Sequence, residues 1–455
     1  LARAAGARLH GEQVSVVEKY AHAFWRERAF WGELIGLGLA APIFYFPNIL
    51  PAWTLLLGLV LLLGTWLWRR QQLGYWYVRT PADFAFALLL LVLPLSLLAA
   101  PPDLRALYAW PRTLILLWNI AFLAMVLVHV RRSSALRSLL VGGFVAAGVI
   151  VATAALFGTR WEIKLPLLAP LLDQLPRPLQ NVFSGAQDGF SPNQLAGTLL
   201  YVFPFALAWT FQSVRTRQWR TAVPLAAGLA VMAFVLLAAQ SRAGFAGLAA
   251  ALLILLLWPR PWGRRLLAGG AALAAAAVVL LPVNAVLAAL DSSTKVEGAY
   301  GSLSVSGRLE IWARAVTALY DFPWTGIGLG SFRGIVHEVY PLYLIPPDYD
   351  IAHAHNFLLQ SGLDFGLFGL VAIVALYLLA AWQCHALWRK TSWMEGRIWG
   401  LGLLAALLGQ AVYSLADVVA MGSKTNLFFW WLLGIVFGLS SGLAVAVEWA
   451  NRDSN

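Results

Sequence analysis

Residues 113–132 read Thr113-Leu-Ile-Leu-Leu-Trp-Asn-Ile-Ala-Phe-Leu-Ala-Met-Val-Leu-Val-His-Val-Arg131-Arg132. No aspartate, glutamate, lysine or arginine interrupts the run before its closing pair of arginines. As a helix it is long enough to cross the roughly 30 Å hydrocarbon core of a bilayer. The arginines suit a cytoplasmic end, where basic residues accumulate. Similar apolar runs recur near 31–48, 50–68, 82–100, 112–130, 138–158, 192–213, 221–240, 243–258, 266–290, 355–382, 397–418 and 426–447. The 455 residues are 60% hydrophobic and 12% charged, with mean hydropathy +0.73. A soluble domain of this length is not so apolar throughout. The expected fold is therefore an all-α polytopic membrane protein with about twelve transmembrane helices.

Charge placement orients the spans. With the N-terminus in the cytoplasm, the inner loops hold Arg69, Arg70 and Arg79, then Arg131, Arg132 and Arg137. They continue with Arg215, Arg217 and Arg220, then Arg260, Arg264 and Arg265, then Arg389, Lys390 and Arg397. The net charge of +11 is then mostly a topology signal, and nucleic-acid binding is not expected. Residues 1–30 carry basic residues but no apolar run or small-residue cleavage site, so they read as a cytoplasmic lead-in and not a cleaved signal peptide. The remaining divisions are 31–290 (nine spans with an outer loop near 159–191), an outer loop 291–354, spans over 355–447, and a cytoplasmic tail 448–455. Within the long loop, Leu309, Ile311, Trp312, Ala315, Val316 and Leu319 give Gly307–Tyr320 one apolar face, as in a helix lying on the bilayer surface. The single cysteine, Cys384, rules out an intrachain disulfide.

The outward basic residues oppose the charge bias and are therefore informative. Arg242 lies in the tight turn Gln240-Ser241-Arg242-Ala243-Gly244, Arg308 opens the amphipathic stretch, and His353 and His355 precede the tenth span. Guanidinium groups bind phosphate oxygens bidentately and stay charged. An imidazole near neutrality takes a proton from a hydroxyl. Together they suit a reaction in which a hydroxyl attacks carbon and a phosphate leaves. Blander roles are open to each: headgroup contacts for the arginines, a loop position for His337, and local capping or orientation of an imidazole for Asp417. His353-Ala354-His355 also has the alternation of a metal pair. No cysteine or HExxH partner accompanies it, so no metal is expected. Asp364 lies deep in the tenth span with its role open.

Four segments together resemble the O-antigen ligase and polymerase superfamily, and most closely its O-antigen ligases. They are Ser191-Pro192-Asn193-Gln194-Leu195-Ala196, the Gln240–Gly244 turn, and Ser306-Gly307-Arg308-Leu309-Glu310-Ile311-Trp312 continuing through Pro323-Trp324-Thr325-Gly326-Ile327-Gly328-Leu329-Gly330. The fourth is His355-Asn356 followed by Gly366 and Gly369. The resemblance implies a GT-C-type membrane glycosyltransferase of the bacterial inner membrane with a periplasmic active site. It implies transfer of O-antigen from undecaprenyl pyrophosphate to lipid A–core, with inversion and without metal or other cofactor. On that reading His355 is the catalytic base, and Arg242 and Arg308 bind and stabilise the leaving pyrophosphate. Asn193, Asn356, Asp417 and His353 complete the substrate-binding set, with His353 able to share the base role. An O-antigen polymerase or a protein O-oligosaccharyltransferase uses the same kind of donor. A lipid-linked oligosaccharide flippase fits less well, because such transporters carry repeat symmetry and midplane charges.

Overall fold

The computed structural model describes residues 27–159, 161, 168–172, 174–175, 190–280, 305–391 and 393–452. Among these residues the chain is all-helical apart from loops and one isolated bridge, Thr159 to Phe190. In lipid a backbone that bonds within its own segment leaves no polar group unmet, which is why each apolar run becomes helix. The helices are α1 (Arg28–Tyr45), α2 (Thr54–Leu73), α3 (Asp83–Ala99), α4 (Trp110–Arg132) and α5 (Ser134–Gly158). Next come α6 (Pro192–Leu200), α7 (Phe203–Arg215), α8 (Trp219–Ala238), α9 (Arg242–Leu257) and α10 (Pro261–Leu280). After these lie α11 (Val305–Asp321), α12 (Phe332–Val339), α13 (Phe357–Lys390), α14 (Met394–Tyr413) and α15 (Leu427–Arg452).

Four helical stretches are long and apolar enough to cross a membrane alone: α4 with its lead-in from Pro102, α5, α8 and α13. The pair α6–α7, bent by 45°, makes a fifth candidate. Its break has a local cause. Pro204 has no N–H to return to Leu200, and its ring would collide with that carbonyl. The body is held by α4 against α15, α9 against α14, and α13 against both α3 and α14.

At the arginine-rich end one expectation is corrected. Arg69, read as an inner-loop charge, is 1% exposed inside α2. Its Nε donates to both carboxylate oxygens of Glu33 on α1 at 3.0 Å, and His129 Nε2 of α4 lies 3.2 Å from Glu33 Oε1. The buried carboxylate needs such partners, and they tie three helices together.

The outer segment also differs from expectation. Much of the apolar face of α11 packs against protein: Ile311, Ala315 and Ala318 are buried in a second apolar core. Phe332, Ile335 and Val336 of α12, Ile345 and Leu363 of α13 fill that core. Burial against protein is available here because the loop folds back over the start of α13. Residues 291–304 of the long loop and most of 159–191 lie outside the described residues.

Candidate active site

The site forms where α13 begins and the chain leaves α14. Asn356 caps α13, its Oδ1 accepting the N–H groups of Leu358 at 3.0 Å and Leu359 at 3.1 Å. Its Nδ2 donates to the carbonyl of Leu415 at 3.0 Å, and the Phe357 N–H donates to that of Ser414 at 2.8 Å. Asn356 thus fastens the start of α13 to the turn after α14. That turn carries Asp417 to the histidines.

Asp417 Oδ1 lies 3.4 Å from His355 Nδ1 and 3.8 Å from His353 Nε2. The first is an ion-pair distance without the alignment of a good hydrogen bond. The same oxygen accepts the Val418 N–H at 2.8 Å. Burial by itself raises the Asp417 carboxyl, but His355, His353 and Arg308 hold it below the ordinary carboxylate value. The imidazole side chains are 13% exposed for His355 and 16% for His353, so both are sheltered yet reachable. His355 has φ +50°, an uncommon conformation for a residue with a Cβ.

The two imidazoles are not equivalent. The backbone N–H of His355 donates to His353 Nδ1 at 3.3 Å, which puts the His353 proton on Nε2, the atom facing Asp417. Burial first, then the neighbouring His355, pushes His353 down to about 3. Asp417 works against this, and Arg112 and Arg308 add to it. His353 is therefore neutral near pH 7, with its one lone pair already accepting. With Nδ1 of His355 turned to Asp417, Nε2 has no hydrogen-bond partner among the described residues. His353, His355 and Asp417 bring three possible ligand atoms within 4.8 Å of one another. The set fits a metal poorly. Ligation through His353 Nε2 while Nδ1 accepts a hydrogen bond requires an imidazolate.

Arg308 reaches this point from another helix, and Arg242, on a third, acts on it through its charge. Arg308 of α11 is half-buried, and its Nη1 donates to the carbonyl of Ala416 at 2.6 Å, one residue before Asp417. Burial lowers the Arg308 guanidinium below its ordinary value; Asp417 opposes that shift and Arg242 adds to it. Arg242 is exposed as the first residue of α9, whose N-cap Ser241 accepts the Gly244 N–H at 3.2 Å. Asn193 enters through its backbone, its carbonyl accepting the Tyr413 hydroxyl at 2.9 Å.

Other residues fall elsewhere. Asp364 accepts from the Gly330 N–H and Gln360 Nε2, each at 2.8 Å, and does not touch the histidines. His337 Nε2 is 2.8 Å from the Tyr349 carbonyl, and Arg333 Nε donates to Asp350 at 2.6 Å. The glycine-rich turn packs against α13. Gly326 and Gly366 have φ +64° and +67°, and a Cβ at either would meet opposing backbone at 2.3 Å and 2.2 Å.

Arg112 escaped the sequence reading. Its Nη1 is buried without a hydrogen-bond partner, its side chain lies against Gly330, and its charge acts on His353. A signal was available: it sits at the end of α4 opposite Arg131 and Arg132, against the charge bias.

Residues 227–374 match the sequence model of the family described as O-antigen ligase. The chain carries an O-antigen ligase family domain. The match supports a function of the ligase or polymerase type in a membrane protein. No curated protein matches the chain. The matched segment contains Arg242, Arg308, His353, His355 and Asn356, while Asn193, Asp417 and Arg112 lie outside it.

Proposed function

We propose that this protein is an O-antigen ligase that moves preassembled O-antigen from undecaprenyl pyrophosphate to lipid A–core. The reading places about twelve spans in the bacterial inner membrane, in a GT-C-type arrangement, with the site on the periplasmic face. The observation that carries it is the approach of His355 to buried Asp417, with Arg308 anchored one residue away. Asp417 orients His355 through Nδ1, leaving Nε2 to take the acceptor proton as the oriented imidazole of a triad does. The acceptor oxygen attacks the anomeric carbon as the bond to the pyrophosphate oxygen breaks. The leaving group departs with that electron pair, held by Arg242 and Arg308. Fixed cations aimed at developing charge fill the role a metal takes elsewhere. One displacement inverts the anomeric centre. His353 positions His355 and is not the base, because its lone pair is already engaged.

The test is transfer of labelled donor by purified protein in vesicles, with lipid A–core supplied. Label is expected on lipid A–core in excess chelator, and His355→Ala is expected to lower the rate by about a hundredfold or more. Label found only in lengthened polymer makes the protein a polymerase, and label in a protein band makes it a protein glycosyltransferase. Undiminished transfer by a folded His355→Ala variant removes the base.

A further inference from the structure

The molecule has two adjoining clefts at its arginine-rich end, far along α4 from the histidines. One, of about 400 Å³, is lined by Arg79, Arg131 and Arg132 with Tyr75 and Tyr77. Among the described residues no carboxylate lines it. Glu27 Oε2 lies 3.7 Å from Arg132 Nη2, so that arginine already has a partner. The second, of about 240 Å³, shares Tyr77, Val78 and Val128 with the first and is lined almost wholly by apolar atoms. It runs between α2, α3 and α4 past Trp66, Phe86, Leu90 and Leu123 to Ile120.

The two differ in chemistry and share a wall. From Val128 to Ile120 the slot follows α4 for about 12 Å, at ~1.5 Å per residue. One leaflet's hydrocarbon is roughly 15 Å deep. Asp83, at the mouth of the slot, is engaged by the Thr80 N–H at 2.9 Å, the Thr80 hydroxyl at 2.8 Å and the Tyr77 hydroxyl. These bonds hold the α2–α3 connection over the opening. Arg69, also on the slot wall, is held by Glu33.

Arginines that only set topology need charge and a loop. They do not need an apolar channel leading from the charge along the helices. Basic pockets between helices at a membrane surface suit anionic lipid headgroups. We propose that these joined clefts bind one anionic glycerophospholipid of the leaflet they face. Its phosphate sits between Arg79 and Arg131, and one acyl chain follows the slot along Leu123 and Leu90. This site is separate from the sugar-transfer site and does not depend on that reading.

The test uses the full chain, purified in neutral detergent and delipidated, with binding read by native mass spectrometry. Phosphatidylglycerol is expected to bind at one molecule per chain, more tightly than phosphatidylethanolamine. Replacing Arg79→Gln and Arg131→Gln is expected to weaken it by about fivefold for each arginine removed. Ala124→Trp fills the slot without changing charge and is expected to weaken binding as well. Arg215→Gln with Arg220→Gln, on a different arginine-rich turn, is expected to leave it unchanged. Equal loss in that control pair, equal binding of phosphatidylethanolamine, or full competition by inorganic phosphate overturns the proposal. So does unchanged binding in either the Arg79/Arg131 or the Ala124 variant.

Discussion

His353 and His355 sit two residues apart and share Asp417, yet their surroundings differ. His353 is surrounded by a neighbouring imidazole, two guanidinium groups and apolar walls, all of which disfavour its proton. The unfolded side chain takes a proton near pH 6.5 and the folded one only near pH 3. Stability linked to His353 is therefore complete above pH 6.5 and is lost as pH falls from there toward 3. A His353→Gln variant should show a flatter melting temperature between pH 6.5 and 5 than the parent. An identical slope for both proteins would contradict the assignment. Asp417→Asn should lower turnover by about a hundredfold or more, since an amide supports the wrong imidazole tautomer. Steady-state kinetics on protein with unchanged melting would check this; turnover near the parent's would remove the orienting role.

At the scale of the element, the spacing from His355 to Gly366 and Gly369 describes a helix with a break in it. The start of α13 carries the cap and the Asp417 contact, and Gly366 turns the helix axis against Pro323 and Trp324. The Leu367 N–H, freed by the break, donates to the Pro323 carbonyl at 2.8 Å. Gly366→Ala must place a methyl 2.2 Å from the Trp324 carbonyl oxygen while keeping φ +67°. The cost should be about 2 kcal/mol or more. A thermal melt in detergent should show the loss, and a melt within a degree of the parent would mean that the kink is not required. The apolar run of α13 was legible in the sequence. Its kink was not, because two glycines in an apolar run look the same whether they kink the chain or pack against a neighbour.

For the molecule as a whole, the proposed orientation puts the α2–α3 turn in the cytoplasm and the α11–α13 segment in the periplasm. Cys384 is the only cysteine and is fully buried, so background labelling should be low. Leu344→Cys, at a position 60% exposed, should react with a membrane-impermeant maleimide added to intact spheroplasts. Gln72→Cys should react only after the membrane is opened. The reverse pattern would turn the site to the cytoplasm and end the ligase reading. The same orientation leaves Arg242, Arg308 and Arg112 as outward cations among inward-biased ones, which is why two of the three could be found without coordinates.

The amino-acid sequence alone determined the helical, membrane-borne class, the residues that break its charge pattern, and the pair His355-Asn356. Those properties are local: a helix in an apolar medium completes its own hydrogen bonds, and charge along the chain is read without knowing what it touches. Only the tertiary structure decided that Asp417 lies beside the histidines, that Asn356 fastens to the turn after α14, and that α11 packs its apolar face against protein. Each depends on segments far apart in the chain meeting, as Asn356 meets Leu415 and Ile311 shares a core with Leu363. Such meetings are set by side-chain packing between helices, and no period along the chain records them.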